Sequence, residues 1–139
     1  MKDLNKYLIE NSKLVKINSQ DIKGGDVFVA LSGKTSHGNK YILDAVNKGA
    51  KYIVTDSIPD NNISNKNLII VKNTLFFLMK IANQKRNLYH GKVIGITGSI
   101  GKTSVKENLK YFLSPYYKIS ASIKSYNNYL GVIISLINL

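Results

Sequence analysis

The sequence predicts an α/β fold, because short apolar runs with strand character alternate with segments of helical periodicity. Three observations support this class. An apolar run at residues 27–31 follows a Gly-Gly turn, a helical segment ending near Gly49 leads into a second apolar run at residues 51–56, and a strand-turn-helix pattern occupies residues 93–109. This alternation is typical of parallel strands joined by helical crossovers. We therefore expect a small N-terminal α/β domain followed by a second α/β unit.

The N-terminal segment predicts one helix and two strands. Residues 3–12 place Leu4 and Leu8 on one helical stripe, and the short run at residues 14–17 has strand composition. The run at residues 27–31 contains no charged side chain, which predicts a buried strand.

The middle of the chain predicts a strand-loop-helix-strand unit. Residues 32–39 form a polar loop, and residues 40–50 have helical character. Gly49 stands where a helix C-cap commonly places glycine. The apolar run at residues 51–56 then predicts the next strand.

Another strand, at residues 68–71, leads into a helix at residues 73–90, for which Asn73 or Thr74 can serve as the N-cap. Its apolar positions with helical spacing are Leu75, Leu78, Ile81 and Ala82. Aromatic residues of this helix and of the later one are expected to pack in a core rather than to stack on a ligand. They are Phe76, Phe77, Tyr111 and Phe112.

Composition and charge argue against several protein classes. The 139 residues carry a net charge of +12, but the lysines are scattered, which favours a solvated basic surface over a nucleic-acid site. No apolar run approaches the roughly 20 residues of a membrane span. The N-terminus lacks the apolar stretch of a secretory signal, and there is no cysteine. We expect a cytoplasmic protein with no nucleic-acid partner and no membrane insertion.

The segment T-G-S-I-G-K-T at residues 97–103 carries the clearest chemistry. Gly98 and Gly101 permit positive φ or a close approach of the backbone to a ligand. A helix beginning near Lys102 directs free N–H groups and the positive end of its dipole into the same space. Phosphate is the natural ligand of such a turn, with Lys102 neutralising its oxygens and the Thr103 hydroxyl ligating Mg²⁺.

The strict P-loop pattern G-x-x-x-x-G-K-[ST] has glycine where this chain has Ile96, so a plain glycine turn is the alternative. The segment resembles the variant loop T-G-[ST]-x-G-K-[ST] of the Mur ligases. Residues 17–56 resemble the N-terminal pattern of that family, D-S-R-x-[VI]-x-x-G-D-x-F-V-A-x-x-G, then D-G-H-x-F, then A-x-x-x-G-A. Residues 124–132 resemble its N-N-x-x-G-V-P segment. In this order and spacing, the motifs make residues 18–139 similar to the Mur ligase family.

The resemblance implies ATP-dependent peptide-bond formation in peptidoglycan precursor synthesis. In this family, ATP phosphorylates a substrate carboxylate, and an amine then attacks the acyl phosphate and releases phosphate. The details of the motifs imply UDP-N-acetylmuramoyl-tripeptide and D-alanyl-D-alanine as the substrates, with ATP and Mg²⁺ as cofactors.

The resemblance also implies the residues of two sites. ATP contacts are implied for Gly98, Ser99, Ile100, Gly101, Lys102, Thr103, Ser104 and Asn128, with Lys102 catalytic and Thr103 a ligand of Mg²⁺. Contacts to the UDP end of the substrate are implied for Ser19, Lys34, Thr35 and Ser36. Asn127 and Asn128 have a second interpretation, because they can also cap the last helix.

This chain departs from the family pattern at five positions, one of which is Ile133, where the N-N-x-x-G-V-P segment usually has proline. Asn18 and Gln20 replace the common Asp and Arg, which removes charge from the nucleotide-sugar pocket. His37 and Asn39 replace the Asp and His of D-G-H. The alternatives for His37 are a general base or a ligand-binding residue and a solvated side chain. A lone loop histidine without a partner is expected to be solvated, and we interpret His37 in this way.

The resemblance divides the chain into an N-terminal UDP-substrate-binding domain at residues 1–86 and an incomplete central ATP-binding domain at residues 87–139. The second part is expected to begin with a strand at residues 92–96 and to end in an apolar helix whose partner sheet is missing. We therefore expect a monomeric N-terminal fragment that is inactive alone and exposes apolar faces. The alternatives are a stand-alone UDP-sugar-binding module and a small P-loop kinase or NTPase.

Overall fold

A computed structural model describes residues 2–11, 15–33, 36–59, 67–122 and 128–137. The elements in chain order are α1 (Lys2–Glu10), β1 (Val15–Lys16), β2 (Val27–Ala30), α2 (Ile42–Asn47), β3 (Tyr52–Thr55), β4 (Leu68–Ile70), α3 (Thr74–Leu88), α4 (Lys102–Leu113) and α5 (Tyr129–Ile137). Short 3₁₀ turns occupy Ser19–Asp21 and Gly38–Tyr41. In the described ranges of the N-terminal half, the predicted order of helices and strands is confirmed.

The four strands form one parallel sheet in the order β1-β2-β3-β4. In the central pair, Val29 lies opposite Val54 and Ala30 opposite Thr55. All strands run in the same direction, so the loops that follow β2 and β3 emerge at one edge of the sheet. Ligands of open α/β folds bind outside this carboxyl edge.

Both faces of the sheet are covered by helices, as a parallel sheet requires. Val27, Val29 and Val54 face one core cluster, which is completed by side chains of α1, α3 and α5. The alternate strand positions Phe28 and Ile53 face a second cluster with α2. The period of two along each strand thus produces the two cores.

The predicted strand at residues 92–96 is wrong: this segment is not part of a sheet. Val93 and Ile94 are exposed, with Ile94 retaining 62% of its accessible surface. A strand needs a neighbouring strand to satisfy its N–H and C=O groups, and the described sheet ends with β4. The strand expected before the glycine-rich turn therefore does not form, whereas the helix expected after this turn does.

The last helix also differs from the expectation. Rather than lacking a partner, α5 packs against α3 and buries Ile133, Ile134 and Ile137 in the first core cluster. Its apolar side chains therefore find their partner in a helix of the N-terminal half.

The aromatic residues divide into two groups. Phe77 is buried in the first core cluster, as predicted. Phe76, Tyr111 and Phe112 are exposed, so the prediction of core packing is wrong for them. Their helices turn these side chains away from the two cores. Within the described residues, no helix combines the length and apolar character needed to cross a membrane.

Candidate functional site

The glycine-rich turn adopts a conformation that its glycines make possible. Gly98 has φ of 145° and Gly101 has φ of 81°, both in a region that side chains disfavour. α4 begins directly after Gly101, at Lys102. The Lys102 Nζ donates a hydrogen bond to the Gly98 carbonyl oxygen, which closes the turn across the helix start.

The start of α4 has the donors that an anion requires. The Val105 N–H is bonded to the Gly101 carbonyl at 2.9 Å, whereas the N–H groups of the first helical residues precede any intrahelical acceptor. Thr103 and Ser104 are exposed, and Ile100 retains 93% of its accessible surface. A positive helix end, free amides and an ammonium group thus lie together on an open surface, a combination suited to phosphate.

Asn128 belongs to the start of α5. Its Oδ1 accepts a hydrogen bond from the Gly131 N–H at 2.8 Å, which is the geometry of an N-cap. The capping interpretation of this residue is therefore confirmed. Asn127 lies outside the described residues, and the role of Asn128 in ATP binding stays a prediction.

The residues implied for UDP binding lie on different elements. Ser19 is buried, and its carbonyl accepts a hydrogen bond from Lys48 Nζ at 3.2 Å. Its side chain interacts with Asp44, and this contact, with the neighbouring Lys48, holds the pKa of Asp44 below its ordinary value. Ser36 belongs to the loop after β2, where its carbonyl accepts from the Gly33 N–H at 3.0 Å. Lys34 and Thr35 lie outside the described residues.

A hydrogen-bonded pair that the sequence reasoning missed lies at the carboxyl edge of the sheet. His37 Nε2 is 2.7 Å from Asp56 Oδ1, and both side chains are partly buried. The other carboxylate oxygen of Asp56 accepts from the Thr74 N–H at 3.1 Å and from the Thr74 hydroxyl at 2.9 Å. The expectation of a solvated His37 is therefore wrong, because the end of β3 supplies a partner.

The contacts of His37 determine its tautomer. Its Nδ1 accepts a hydrogen bond from the Asn39 N–H at 3.0 Å, so the ring proton lies on Nε2 and is donated to Asp56. Burial raises the pKa of the Asp56 carboxyl, but the hydrogen bonds from His37 and Thr74 outweigh this effect and lower it overall. Asp56 is thus held as a carboxylate.

A second set of polar contacts supports the same edge. Asn39 Nδ2 donates to Ser57 Oγ at 2.7 Å, and the Thr55 hydroxyl donates to Asn39 Oδ1 at 2.6 Å. These bonds tie the loop after β2 to the end of β3. Buried polar groups that are satisfied in this way fix the positions of their neighbours.

A cavity of about 380 Å³ opens beside this network. Among the described residues, its walls consist of Leu31, Ser32, Asp56, Asn73, Thr74, Leu75, Asn128, Tyr129 and Leu130. It therefore lies where the ends of β2 and β3, the start of α3 and the start of α5 meet. One sequence signal could have located it: Asp56 directly follows a buried strand, at the edge where α/β folds bind ligands.

A family model, described as the Mur ligase family, catalytic domain, matches residues 11–86. The UDP-N-acetylmuramoyl-tripeptide--D-alanyl-D-alanine ligase of Rickettsia prowazekii (strain Madrid E) is 43% identical over 126 residues, which cover 91% of this chain and 28% of that ligase. An alignment of this length runs through the glycine-rich turn.

The solved structures that resemble the chain include two MurF ligases. The MurF ligase of Thermotoga maritima in complex with ADP is 30% identical with a TM-score of 0.72, over 88% of this chain and 28% of that one. MurF from Acinetobacter baumannii is 28% identical with a TM-score of 0.77, over 90% of this chain and 27% of that one. The chain thus spans little more than a quarter of the length of these relatives.

Proposed function

Because the chain belongs to the Mur ligase family, we propose that it supplies the ATP-binding loop and the nucleotide-substrate domain of a UDP-N-acetylmuramoyl-tripeptide:D-alanyl-D-alanine ligase. In the proposed reaction, the terminal phosphoryl group of ATP passes to the tripeptide carboxylate and ADP leaves. The amine of D-alanyl-D-alanine attacks the acyl phosphate, forms the peptide bond and releases phosphate. The name of the similar Rickettsia prowazekii ligase and the ADP bound in the similar Thermotoga maritima structure support this proposal.

The observation that carries the ATP proposal is the geometry of the glycine-rich turn. Residues 98–104 place backbone N–H groups and the N-terminus of α4 around one point on the surface. Lys102 exchanges its bond to the Gly98 carbonyl for the phosphate oxygens and stabilises the charge that develops during phosphoryl transfer. Catalysis by this part of the chain is therefore positioning and charge neutralisation.

Mg²⁺ is assigned to the hydroxyl of Thr103, which is exposed in the first turn of α4. Hydroxyl and phosphate oxygens are the ligands that this hard cation prefers. When bound there, Mg²⁺ would supply positive charge that offsets the negative charge of the phosphate oxygens. Among the described residues, no group of three or more histidine and acidic side chains is placed to hold a metal.

We assign residues 1–86 to the domain that binds the UDP end of the substrate and residues 87–139 to the start of the ATP-binding domain. Contacts to UDP are proposed from Ser19 and from the loop that contains Lys34, Thr35 and Ser36. Ser36 lies after β2, and its carbonyl accepts a hydrogen bond from the Gly33 N–H at 3.0 Å.

Calorimetric titration of the chain with ATP and Mg²⁺ tests the ATP proposal. We expect weak binding that Lys102→Ala reduces by about tenfold or more, since a charge-assisted hydrogen bond is lost. Lys110→Ala is the matched control, because Lys110 lies in the last turn of the same helix and should leave the affinity unchanged.

Equal affinity of the chain and of Lys102→Ala for Mg-ATP would remove the phosphate-loop assignment. Equal losses in Lys102→Ala and Lys110→Ala would instead indicate that the helix contributes general positive charge rather than a specific contact.

A further inference from the structure

We propose that Lys106 is a positioning residue of the phosphate-binding site, which holds the chain that leads to Asn128 against α4 so that Asn128 and the glycine-rich turn contact the same nucleotide. This inference deepens the proposed function and rests on it, because it concerns how two separate segments are brought to one ATP. The observation that carries it is a hydrogen bond from Lys106 Nζ to the Ser122 carbonyl oxygen at 2.9 Å.

The side chain of Lys106 is enclosed to a degree that is unusual for lysine on an open helix. It retains 17% of its accessible surface, although α4 has no buried residue. Lysine ammonium groups are normally left in water. The ion pair with Glu107, at 3.0 Å, contributes little, because the Glu107 side chain is 56% exposed. The bond to Ser122 is therefore the contact that accounts for the position of this ammonium group.

Lys106 lies on the side of α4 that faces the rest of the chain. The half-buried residues of the helix follow each other at helical spacing and form one stripe, which consists of Lys102, Lys106, Leu109 and Leu113. Lys102 donates to the Gly98 carbonyl, and Lys106, one turn later, donates to the Ser122 carbonyl. The two lysines of the stripe thus connect α4 to the chain before it and to the chain after it.

The bond matters because packing does little to orient α4. Its side chains Val105, Tyr111 and Phe112 are exposed. Among the described side chains of this helix, Lys106 alone is hydrogen-bonded to the chain that follows residue 117. Hydrogen bonds with a charged donor are stronger than those between neutral groups. Loss of this donor should therefore release residues 118–122 from α4.

The chain that Lys106 holds leads to Asn128. Asn128 follows Ser122 by six residues, which span at most about 20 Å. Asn128 starts α5, and α5 packs on α3, so Asn128 is fixed to the packed part of the molecule. The bond from Lys106 to Ser122 therefore limits how far α4, with Lys102 at its start, lies from Asn128.

The side chain of Asn128 has donors left for a nucleotide. Its Oδ1 accepts the Gly131 N–H at 2.8 Å, and the residue is exposed. An amide side chain also carries two N–H donors on its nitrogen, which suit a phosphate oxygen. The Gly131 N–H signal therefore reports on the residue that Lys106 is proposed to position.

The first test is an NMR titration with Mg-ATP of the unmodified chain, Lys106→Met and Lys110→Met. Methionine keeps the length of the side chain and removes the donor. Lys106→Met should weaken Mg-ATP by about fivefold. Lys110→Met removes the same charge from an exposed position in the last turn of α4 and should leave the affinity unchanged. At saturation, Mg-ATP should shift the Gly131 N–H signal in the unmodified chain and much less in Lys106→Met.

The second test separates positioning from a merely structural role by a double-mutant cycle with Asn128→Ser. Serine also caps helices but lacks the amide donors. In the Asn128→Ser chain, Lys106→Met should cost less than about twofold, because the group that it positions is gone. A lysine that only stabilised α4 would cost the same factor in both chains. Lys106→Arg keeps a charged donor and should restore most of the affinity.

Four results would overturn the inference: a Gly131 signal that Mg-ATP does not shift in the unmodified chain, unchanged affinity of Lys106→Met, an equal loss in Lys110→Met, or an equal loss with and without Asn128→Ser. The first of these needs no variant, so it does not depend on how a substitution affects folding. In each case a weakened Lys102→Ala still supports the proposed function. An unmodified chain that does not bind Mg-ATP would contradict the ATP part of the proposed function itself.

Discussion

Residues 15–88 and residues 92–122 have similar apolar content but opposite packing. In the first region, every residue of β2 is buried, and helices cover both faces of the sheet. In the second region, α4 has no buried residue, and its side chains Val105, Tyr111 and Phe112 are exposed. A helix and a glycine turn therefore form from local sequence, whereas a core needs segments that are distant in the chain.

The two candidate sites follow the same division. The phosphate-binding turn is made by one continuous segment, residues 98–104, which keeps its conformation through Gly98 and Gly101. The cavity beside Asp56 is assembled from four separate segments that meet at the edge of the sheet. Damage to the packed region should therefore destroy the cavity, and damage to the exposed region should leave it intact.

Phenylalanine at two positions gives the largest expected contrast between the regions. Phe28→Ala should lower the free energy of unfolding by about 3–5 kcal/mol, because it empties a fully buried position between the sheet and α2. Phe112→Ala should change it by no more than about 0.5 kcal/mol, since 66% of that side chain is already exposed. Urea unfolding followed by circular dichroism measures both values.

If Phe28→Ala does not fold, Phe28→Leu is the milder variant to measure. The free energy of unfolding of Phe28→Leu should lie between those of the alanine variant and the wild type, because leucine keeps most of the buried volume. A cost for Phe112→Ala as large as that for Phe28→Leu would show that the exposed face of α4 is covered in solution.

The next contrast lies within α5, which follows the exposed region in the chain but packs with the first. Ile133→Ala should lower the free energy of unfolding by about 2–5 kcal/mol, since it removes a side chain buried against α3. Val132→Ala, on the solvent face of the same helix, is the control and should have little effect. Urea unfolding of the two variants tests whether α5 is part of the core; equal small effects would mean that it is not.

The sequence predicted those elements of the fold that local patterns determine. Gly49 has φ of 84° after α2, as the C-cap prediction requires, and Asn73 Oδ1 accepts the Phe76 N–H at 2.7 Å, as an N-cap does. The strand at residues 92–96 failed because strand formation depends on a neighbouring strand, which no local pattern records. The docking of α5 on α3 was missed for the same reason.

The candidate sites were also predictable only where local sequence determines their geometry. The turn geometry around Gly101 and Lys102 agrees with the glycine and lysine pattern, because those residues act through their own backbone and side chain. The pairing of His37 with Asp56 joins residues that are 19 apart, so it depends on the order of β2 and β3 in the sheet. A histidine without a partner nearby in sequence can therefore have one in the fold.

The smallest expected effect concerns this pair and its dependence on pH. Asp56→Asn should lower the free energy of unfolding by about 1–3 kcal/mol at pH 7, because hydrogen bonds to a charged group are weakened. The pKa of Asp56 in the folded chain lies below its ordinary value of 3.8, so its stabilisation is present above that value and is lost as pH falls through the folded pKa. The difference between wild type and variant should therefore shrink as pH falls below 3.8 and approach zero once pH is below the folded pKa.

Urea unfolding at pH 7 and at a series of pH values below 3.8 measures this difference. Asp44→Asn is the control: its carboxylate also has a lowered pKa, but it belongs to an exposed pair with Lys48, so screening by water should leave little change at either pH. A cost of Asp56→Asn that is the same at pH 7 and at acidic pH would mean that the carboxylate charge does not hold the loop after β2 to α3. The carboxyl edge of the sheet would then be stabilised by side-chain packing alone. Charge would no longer distinguish this packed edge from the open phosphate-binding turn.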